Sequence, residues 1–216
     1  MTPARLGKAG VRAAACAGIA LLVAACGAIT DPVRVSMIRR LPADYLALTL
    51  GAGQRYRPGP MSHSARLAAS IDGLRCVEPF GVRFGAHLEV FAHRHVVSIP
   101  AGIGVAPPLA LATDASVLGG RCYYPAMTTD PTGVIEVRRG ARVTLGELFD
   151  IWGQQLGRRM VARFRAPAGA VVVAYVNGRR WAADPRAIVL IRHELVVLEV
   201  ASRVPPHRVY LFRRGL

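Results

Sequence analysis

The chain has 216 residues, of which 28 are basic and 13 are acidic, so its formal net charge at pH 7 is +15. Hydrophobic residues make up 52% of the sequence, which excludes a wholly disordered chain, because disordered segments are poor in apolar residues. The arginines are dispersed and belong to no nucleic-acid-binding motif, so we expect no nucleic-acid partner. The charge favours an anionic membrane surface or another acidic partner.

Residues 1–25 have the pattern of a bacterial lipoprotein signal peptide. Arg5, Lys8 and Arg12 form a basic start, and the following 13 residues up to position 25 carry no charge. A helix of that length spans about 20 Å, whereas a membrane-spanning helix needs about 20 apolar residues. The tripeptide Val-Ala-Ala then leads directly into Cys26 and resembles the lipobox that lipoprotein signal peptidase recognises. The alternative is an ordinary secreted protein with an unrelated cysteine.

Cleavage before Cys26 would leave this cysteine at the new N-terminus, where it is acylated. Because two or more acyl chains hold a protein stably on a bilayer, we expect a lipid anchor at the extracytoplasmic face of the cell membrane. Prolines and a Gly-Ala-Gly segment interrupt the next stretch, so residues 26–64 are predicted to be a tether. Residues 65–216 are predicted to form a single α+β domain.

The four cysteines have different expected fates. Cys16 leaves with the signal peptide and Cys26 takes the lipid, so Cys76 and Cys122 remain. An even pair in an oxidising compartment predicts a disulfide bond between them. Two free thiols or two metal ligands are the competing interpretations, although neither cysteine has a second cysteine nearby, as zinc sites require.

The first predicted elements are strands. Residues 86–99 read as a hairpin with its turn at 92–95, and a low-polarity loop follows over residues 101–120. Residues 134–138 read as a third strand.

The principal helix is predicted at residues 144–156. Thr144 and Glu147 have the spacing of a capping box, in which each side chain satisfies a free backbone N–H of the other residue. Apolar residues then recur at helical spacing as far as Leu156, and Gly157 is expected to end the helix. This apolar face predicts packing against a sheet.

More strands are predicted after the helix. Residues 171–176 and 179–181 flank Asn177-Gly178, the dipeptide most typical of a two-residue hairpin turn. Further strands are expected at 188–191 and 195–200, with an edge segment at 208–212. The fold class is therefore α+β, a mainly antiparallel sheet with hairpins and one principal helix. The order of strand, helix and Asn-Gly hairpin is typical of β-grasp modules.

Several motifs in a fixed order resemble an uncharacterised family of exported bacterial proteins, over about residues 70–200. They include the Ile-Asp-Gly-Leu-Arg-Cys segment that ends at Cys76, the later Cys122, and an Ile-Pro-Ala-Gly-Ile-Gly segment between them. The segment Thr-Leu-Gly-Glu-Leu-Phe-Asp-Ile-Trp-Gly at 144–153 and Tyr-Val-Asn-Gly at 175–178 complete the series.

The resemblance implies two histidine clusters, an H-x-H-A-H-L strand and an L-H-T-H-D segment, which suggest metal binding in the family. This chain departs from both patterns. Its strand reads Arg-Phe-Gly-Ala-His-Leu at 83–88, which keeps only His87, and its second segment reads Ala-Met-Thr-Thr-Asp at 126–130. Arginine cannot ligate a cation and glycine offers no side chain, so the family's metal site is expected to be lost or altered here.

The remaining metal candidates are weak. His87 and Met127 could contribute to a soft-metal site, and His93 and His95 lie on one strand face, but such a site needs about three ligands. We therefore predict no cofactor.

No catalytic set is recognisable. The sequence contains no nucleophile-elbow, zinc-protease or phosphate-loop motif. Glu89, Asp130 and Glu136 are isolated carboxylates of the kind that usually form surface ion pairs. We therefore predict that the protein is not an enzyme.

The sequence predicts a non-enzymatic, lipid-anchored binding module of the cell envelope. Its expected partners are the membrane, through the lipid on Cys26, and an envelope protein, an anionic polymer or a small ligand. A copper- or zinc-handling protein with a degenerate site is the alternative, and an envelope enzyme is a distant third.

Overall fold

The computed structural model describes residues 70–114, 116–202 and 209–216. The predicted signal peptide, the lipidated Cys26 and the tether at 26–64 lie outside these residues, as does the expected start of the domain at residue 65.

A seven-stranded sheet is built around strand β1 (Arg83–Ala92). Strand β12 (Leu195–Val200) pairs with β1 in parallel along one edge. Along the other edge, the first half of β1 pairs with β6 (Val134–Arg138) and its last three residues pair with β2 (His95–Val97), both antiparallel. β1 is therefore the central strand, held on both edges.

The remaining strands extend the sheet on both sides. Strands β10 (Val173–Val176) and β11 (Arg179–Trp181) lie beyond β12, and β5 (Ala126–Met127) lies beyond β6. Among the described strands, only the pairing of β1 with β12 is parallel, so the predicted mainly antiparallel α+β fold is confirmed. The order β11-β10-β12-β1-β6, with the helix between β6 and β10 in sequence, is a β-grasp arrangement.

Both predicted hairpins form with the expected turns. His93 and Arg94 have φ angles of 49° and 69°, and Asn177 and Gly178 have φ angles of 50° and 77°. Two consecutive positive φ values are what a type I′ turn requires, and they match the right-handed twist of the flanking strands.

Helix α1 (Leu145–Trp152) begins as predicted and ends earlier than predicted. The Thr144 hydroxyl accepts from the Glu147 N–H at 3.2 Å, and the Glu147 carboxylate accepts from the Thr144 N–H at 2.6 Å, which confirms the capping box. The predicted end at Gly157 is wrong, because Gly153 adopts φ 74°, a left-handed conformation open to a residue without Cβ.

Several short strands were not predicted. Strand β7 (Leu156–Gly157) takes the residues expected in the last helical turn and forms a small sheet with β8 (Met160–Val161) and β9 (Phe164–Arg165). Strands β3 (Ala110–Leu111) and β4 (Val117–Gly119) form a hairpin within the predicted loop 101–120. Strands of two or three residues are too short to show an alternating pattern.

Two predicted strands are absent from the described residues. Pro185–Ala187 forms a 3-10 turn, and residues 188–191 then make only an isolated bridge, between Val189 and Thr144. The predicted edge segment at 208–212 is not a strand over residues 209–212, and Arg208 lies outside the described residues.

The helix packs on one face of the sheet. Leu148, Phe149 and Trp152 from α1 share one apolar cluster with Leu88 of β1 and Leu198 of β12. Because side chains alternate along a strand, the residues between these core positions point to the opposite face, which we call the outer face. Its residues His87, Glu136 and Glu199 lie outside the apolar cluster, so polar groups are concentrated on this side of the sheet.

Candidate functional site

The outer face is covered by residues 209–216, which we call the C-terminal segment. The Tyr210 ring stacks on the His87 ring with centroids 3.8 Å apart. Phe212 occupies the space above Gly85, where an added Cβ would come within 2.7 Å of the Phe212 ring. The absence of a side chain at Gly85 therefore lets the C-terminal segment lie close to β1.

A cleft of about 730 Å³ lies between the outer face, the β3–β4 hairpin and the C-terminal segment. Its lining includes the four members of a small buried apolar cluster, Phe80, Val105, Val117 and Met127. Two exposed aliphatic side chains, Val82 and Leu118, also line it and are 65% and 71% exposed. The cleft thus combines an apolar floor with an apolar rim.

The two carboxylates in the cleft are both held by neighbouring side chains. Glu136 is 5% exposed, lies 2.5 Å from the Arg83 Nε through its Oε2, and accepts from the Thr129 hydroxyl at 2.9 Å through its Oε1. The Asp130 Oδ1 accepts from the Thr132 backbone N–H at 3.1 Å and from the Thr132 hydroxyl. The predicted ion pairs are therefore present, but these carboxylates are buried rather than on the surface.

Three arginines line the cleft close to these carboxylates. A guanidinium carries several N–H donors in a planar fork. The Arg83 Nε lies 2.5 Å from the Glu136 Oε2, and the Arg213 Nη2 lies 3.6 Å from the Asp130 Oδ2. Arg214, which also lines the cleft, has no hydrogen-bond or ion-pair partner for its side chain within the described ranges. The Arg214 guanidinium is therefore available to a ligand.

Arg138 fixes one wall of the cleft. Its Nε donates to the Phe80 carbonyl at 3.0 Å, its Nη2 donates to the Tyr123 carbonyl at 3.1 Å, and its guanidinium lies 5.3 Å from the Phe80 ring centroid. Burial lowers the pKa of Arg138, since desolvation disfavours the charged form. The Phe80 and Tyr123 rings meet edge to face with centroids 5.8 Å apart, so one cation positions both aromatic residues.

The predicted disulfide is present next to this wall. The sulfur atoms of Cys76 and Cys122 are 2.05 Å apart, and their Cα atoms are 5.4 Å apart. The adjacent residues Val77 and Tyr123 exchange both backbone hydrogen bonds at 3.0 Å. The disulfide therefore ties the segment that leads to Phe80 onto the segment that carries Tyr123.

The predicted metal candidates do not come together. The His87 Nε2 lies 3.0 Å from the Thr132 carbonyl oxygen beneath Tyr210, and Met127 belongs to the cleft floor. His93 is six residues further along the chain than His87, about 20 Å in an extended strand. The His95 Nδ1 lies 2.9 Å from the His93 carbonyl oxygen. Within residues 70–114, 116–202 and 209–216, no three His, Cys, Asp or Glu side chains are grouped so that they could hold a metal ion.

Arg83, Met127 and Thr129, three positions that the sequence analysis singled out, all line the cleft. Sequence reasoning located these positions but missed Arg213 and Arg214, because nothing local indicates that the C-terminal segment returns to β1.

Comparison of the chain with protein-family models, with curated proteins and with solved structures finds no match. Among the helices of the described residues, none is both long enough and apolar enough to cross a membrane.

Proposed function

We propose that this protein is an exported, lipid-anchored lipoprotein whose domain binds a small ligand in the cleft of the outer face. The main support for this proposal is the cleft. Its volume of about 730 Å³ lies within the range of small-molecule sites, about 300–1,000 Å³, and it pairs an apolar floor with a few fixed polar groups. The hydrogen bonds from Arg138 to the Phe80 and Tyr123 carbonyls support a site whose wall is formed before a ligand binds.

Export is supported by the disulfide and by the N-terminal sequence. Disulfides persist in oxidising compartments and are rare in the reducing cytosol. The lipobox-like sequence before Cys26, preceded by a basic start and a short apolar run, supports the lipid anchor. Both features favour a protein held at the extracytoplasmic face of the membrane.

The anchor is tested by labelling cells that produce the full chain with radioactive palmitate. The wild type should incorporate the label, the Cys26→Ser variant should not, and the Cys16→Ser variant should behave like the wild type. Cys16 is the matched control because it lies in the apolar run that precedes Cys26, ten positions earlier. Label in the Cys26→Ser variant, or none in the wild type, would refute the anchor.

The cleft is tested by ligand-observed NMR on the oxidised full-length chain carrying Cys26→Ser, which avoids detergent. The probes are decanoate, decyl phosphate, decanol, decylamine, glucose and a neutral tripeptide. At least one probe should bind, and Leu118→Trp, which enlarges a rim side chain, should reduce binding. Ile191→Trp is the matched control, because Ile191 is 53% exposed and does not line the cleft. No binding, or equal binding to both tryptophan variants, would refute the proposal.

A further inference from the structure

We infer that the cleft takes an anionic amphiphile, a molecule with one carboxylate or phosphate group and an apolar tail. This inference rests on the proposed function, because it names the ligand class of the same cleft.

The charged groups of the cleft favour an anion. Among its described side chains, three arginines outnumber two carboxylates. Glu136 and Asp130 already accept hydrogen bonds from Thr129 and Thr132, so they do not need a cationic ligand.

The hydrogen-bond donors of the cleft also favour an anionic ligand. The side chains of Arg83 and Arg213 are 44% and 56% exposed, so both guanidinium groups are accessible in the cleft. Arg214 adds a guanidinium without a described partner. A planar fork of N–H donors matches the oxygens of a carboxylate or phosphate better than it matches any neutral group.

The apolar part of the cleft favours a ligand that has an apolar tail in addition to its anionic group. Leu118 and Val82 remain mostly exposed at the rim, and Phe80 and Met127 form a buried floor that is 5% and 3% exposed. An apolar tail that lies over the rim would remove the exposed surface of Leu118 and Val82 from water.

The shape of the site favours a single molecule over a bilayer surface. Met127 and Phe80 lie in a recess walled by Tyr123 and Val105, whereas contact with a bilayer would require them to protrude. A fatty acid and a lipid phosphate share the chemistry that the cleft selects, so both are included as probes.

The experiment is a calorimetric titration of the oxidised full-length chain carrying Cys26→Ser with single-chain amphiphiles below their micelle concentrations. Hexanoate, octanoate, decanoate and decyl phosphate are the anionic probes, and decanol and decylamine are the neutral and cationic ones. We expect only the anions to bind, with affinity rising about fourfold per added methylene within the carboxylate series.

Three variants locate the binding. Arg214→Ser should weaken decanoate binding at least about fivefold, because it removes one charge-assisted hydrogen bond. Leu118→Ser should flatten the dependence on chain length. Arg179→Ser should change neither, because Arg179 is an exposed arginine on β11 and does not line the cleft.

Equal binding of decylamine and decanoate, or full affinity in Arg214→Ser, would overturn the inference. Binding to anionic vesicles without binding of any monomeric anion would also overturn it, in favour of contact with a membrane surface. If a neutral or cationic probe binds and Leu118→Trp abolishes that binding, the ligand class is wrong while the binding function stands. If no probe binds, both fail, and the palmitate experiment still decides the anchor separately.

Discussion

At the scale of single residues, two buried glutamates have contrasting surroundings. The Oε2 atoms of Glu136 and Glu194 both lack a hydrogen-bond partner among the described residues. The Glu136 Oε2 lies 2.5 Å from the Arg83 Nε, whereas Glu194, which is 6% exposed, has no ion-pair partner in the described part of the chain. Burial raises the pKa of Glu194, and a hydrogen bond with the Ile191 backbone offsets part of that effect. Ionised Glu194 therefore destabilises the folded state.

Replacing Glu194 with glutamine should raise the melting temperature at pH 7. Because the folded pKa of Glu194 is raised, its stabilising contribution is full below the unfolded pKa of about 4.3 and is lost as the pH rises through the folded value. The gain from Glu194→Gln should therefore shrink towards zero at acidic pH. Thermal unfolding between pH 4 and pH 8 measures this, with exposed Glu78→Gln as the control. A gain that is independent of pH would contradict the explanation.

The Arg83–Glu136 pair should show strong coupling. Arg83→Met leaves the buried Glu136 carboxylate without its cation and should lower the free energy of unfolding by about 2 kcal/mol, since Arg83 itself is partly exposed. Adding Glu136→Gln to Arg83→Met should recover most of that loss. A double-mutant cycle in urea measures the coupling, and additive effects would show that the pair does not act as a unit.

At the scale of elements, the sequence correctly predicted the features that depend on interactions between neighbouring residues. The capping box at Thr144 and the type I′ turn at Asn177-Gly178 each depend on a few adjacent residues, and both form as predicted. The end of α1 was predicted wrongly because both Gly153 and Gly157 are suitable helix ends. Leu156 also continues the helical spacing of apolar residues beyond Trp152, where the helix actually ends. Its side chain is still buried in the main apolar cluster, but the backbone is in β7, which pairs with β8.

The capping box gives a prediction for this element. Thr144→Ala should lower the free energy of unfolding by about 1 kcal/mol, because the Glu147 N–H loses its acceptor. Thr144→Ser keeps the hydroxyl and should retain most of the stability. Urea unfolding of the two variants and the wild type measures the difference, and equal losses in both variants would contradict a capping role.

At the scale of the whole molecule, the cleft could not be predicted from the sequence. Its lining comes from residues 79–83, from stretches between 105 and 136, and from residues 213–216, which only the folded chain brings together. The disulfide was predictable, because it follows from counting cysteines in a chain that is expected to be exported and not from the position of either cysteine.

Removing the disulfide should destabilise the whole domain. On the chain-entropy model, a crosslink with a sequence separation of 46 contributes about 4 kcal/mol. The double variant Cys76→Ser, Cys122→Ser should lose a comparable free energy of unfolding in urea. It should also weaken ligand binding in the cleft, because the disulfide would no longer hold the segments of Phe80 and Tyr123 together. Unchanged stability would show that the loop is already ordered in the unfolded chain.

We propose that this domain is exported and held on a membrane by a lipid at Cys26, and the intact mass of the chain purified from bacterial membranes without reductant tests both points at once. We predict a chain that begins at Cys26, carries two or three acyl chains, and lacks the two hydrogens removed by the Cys76–Cys122 bond. A chain that keeps residues 1–25, or one that begins elsewhere without lipid, would contradict it.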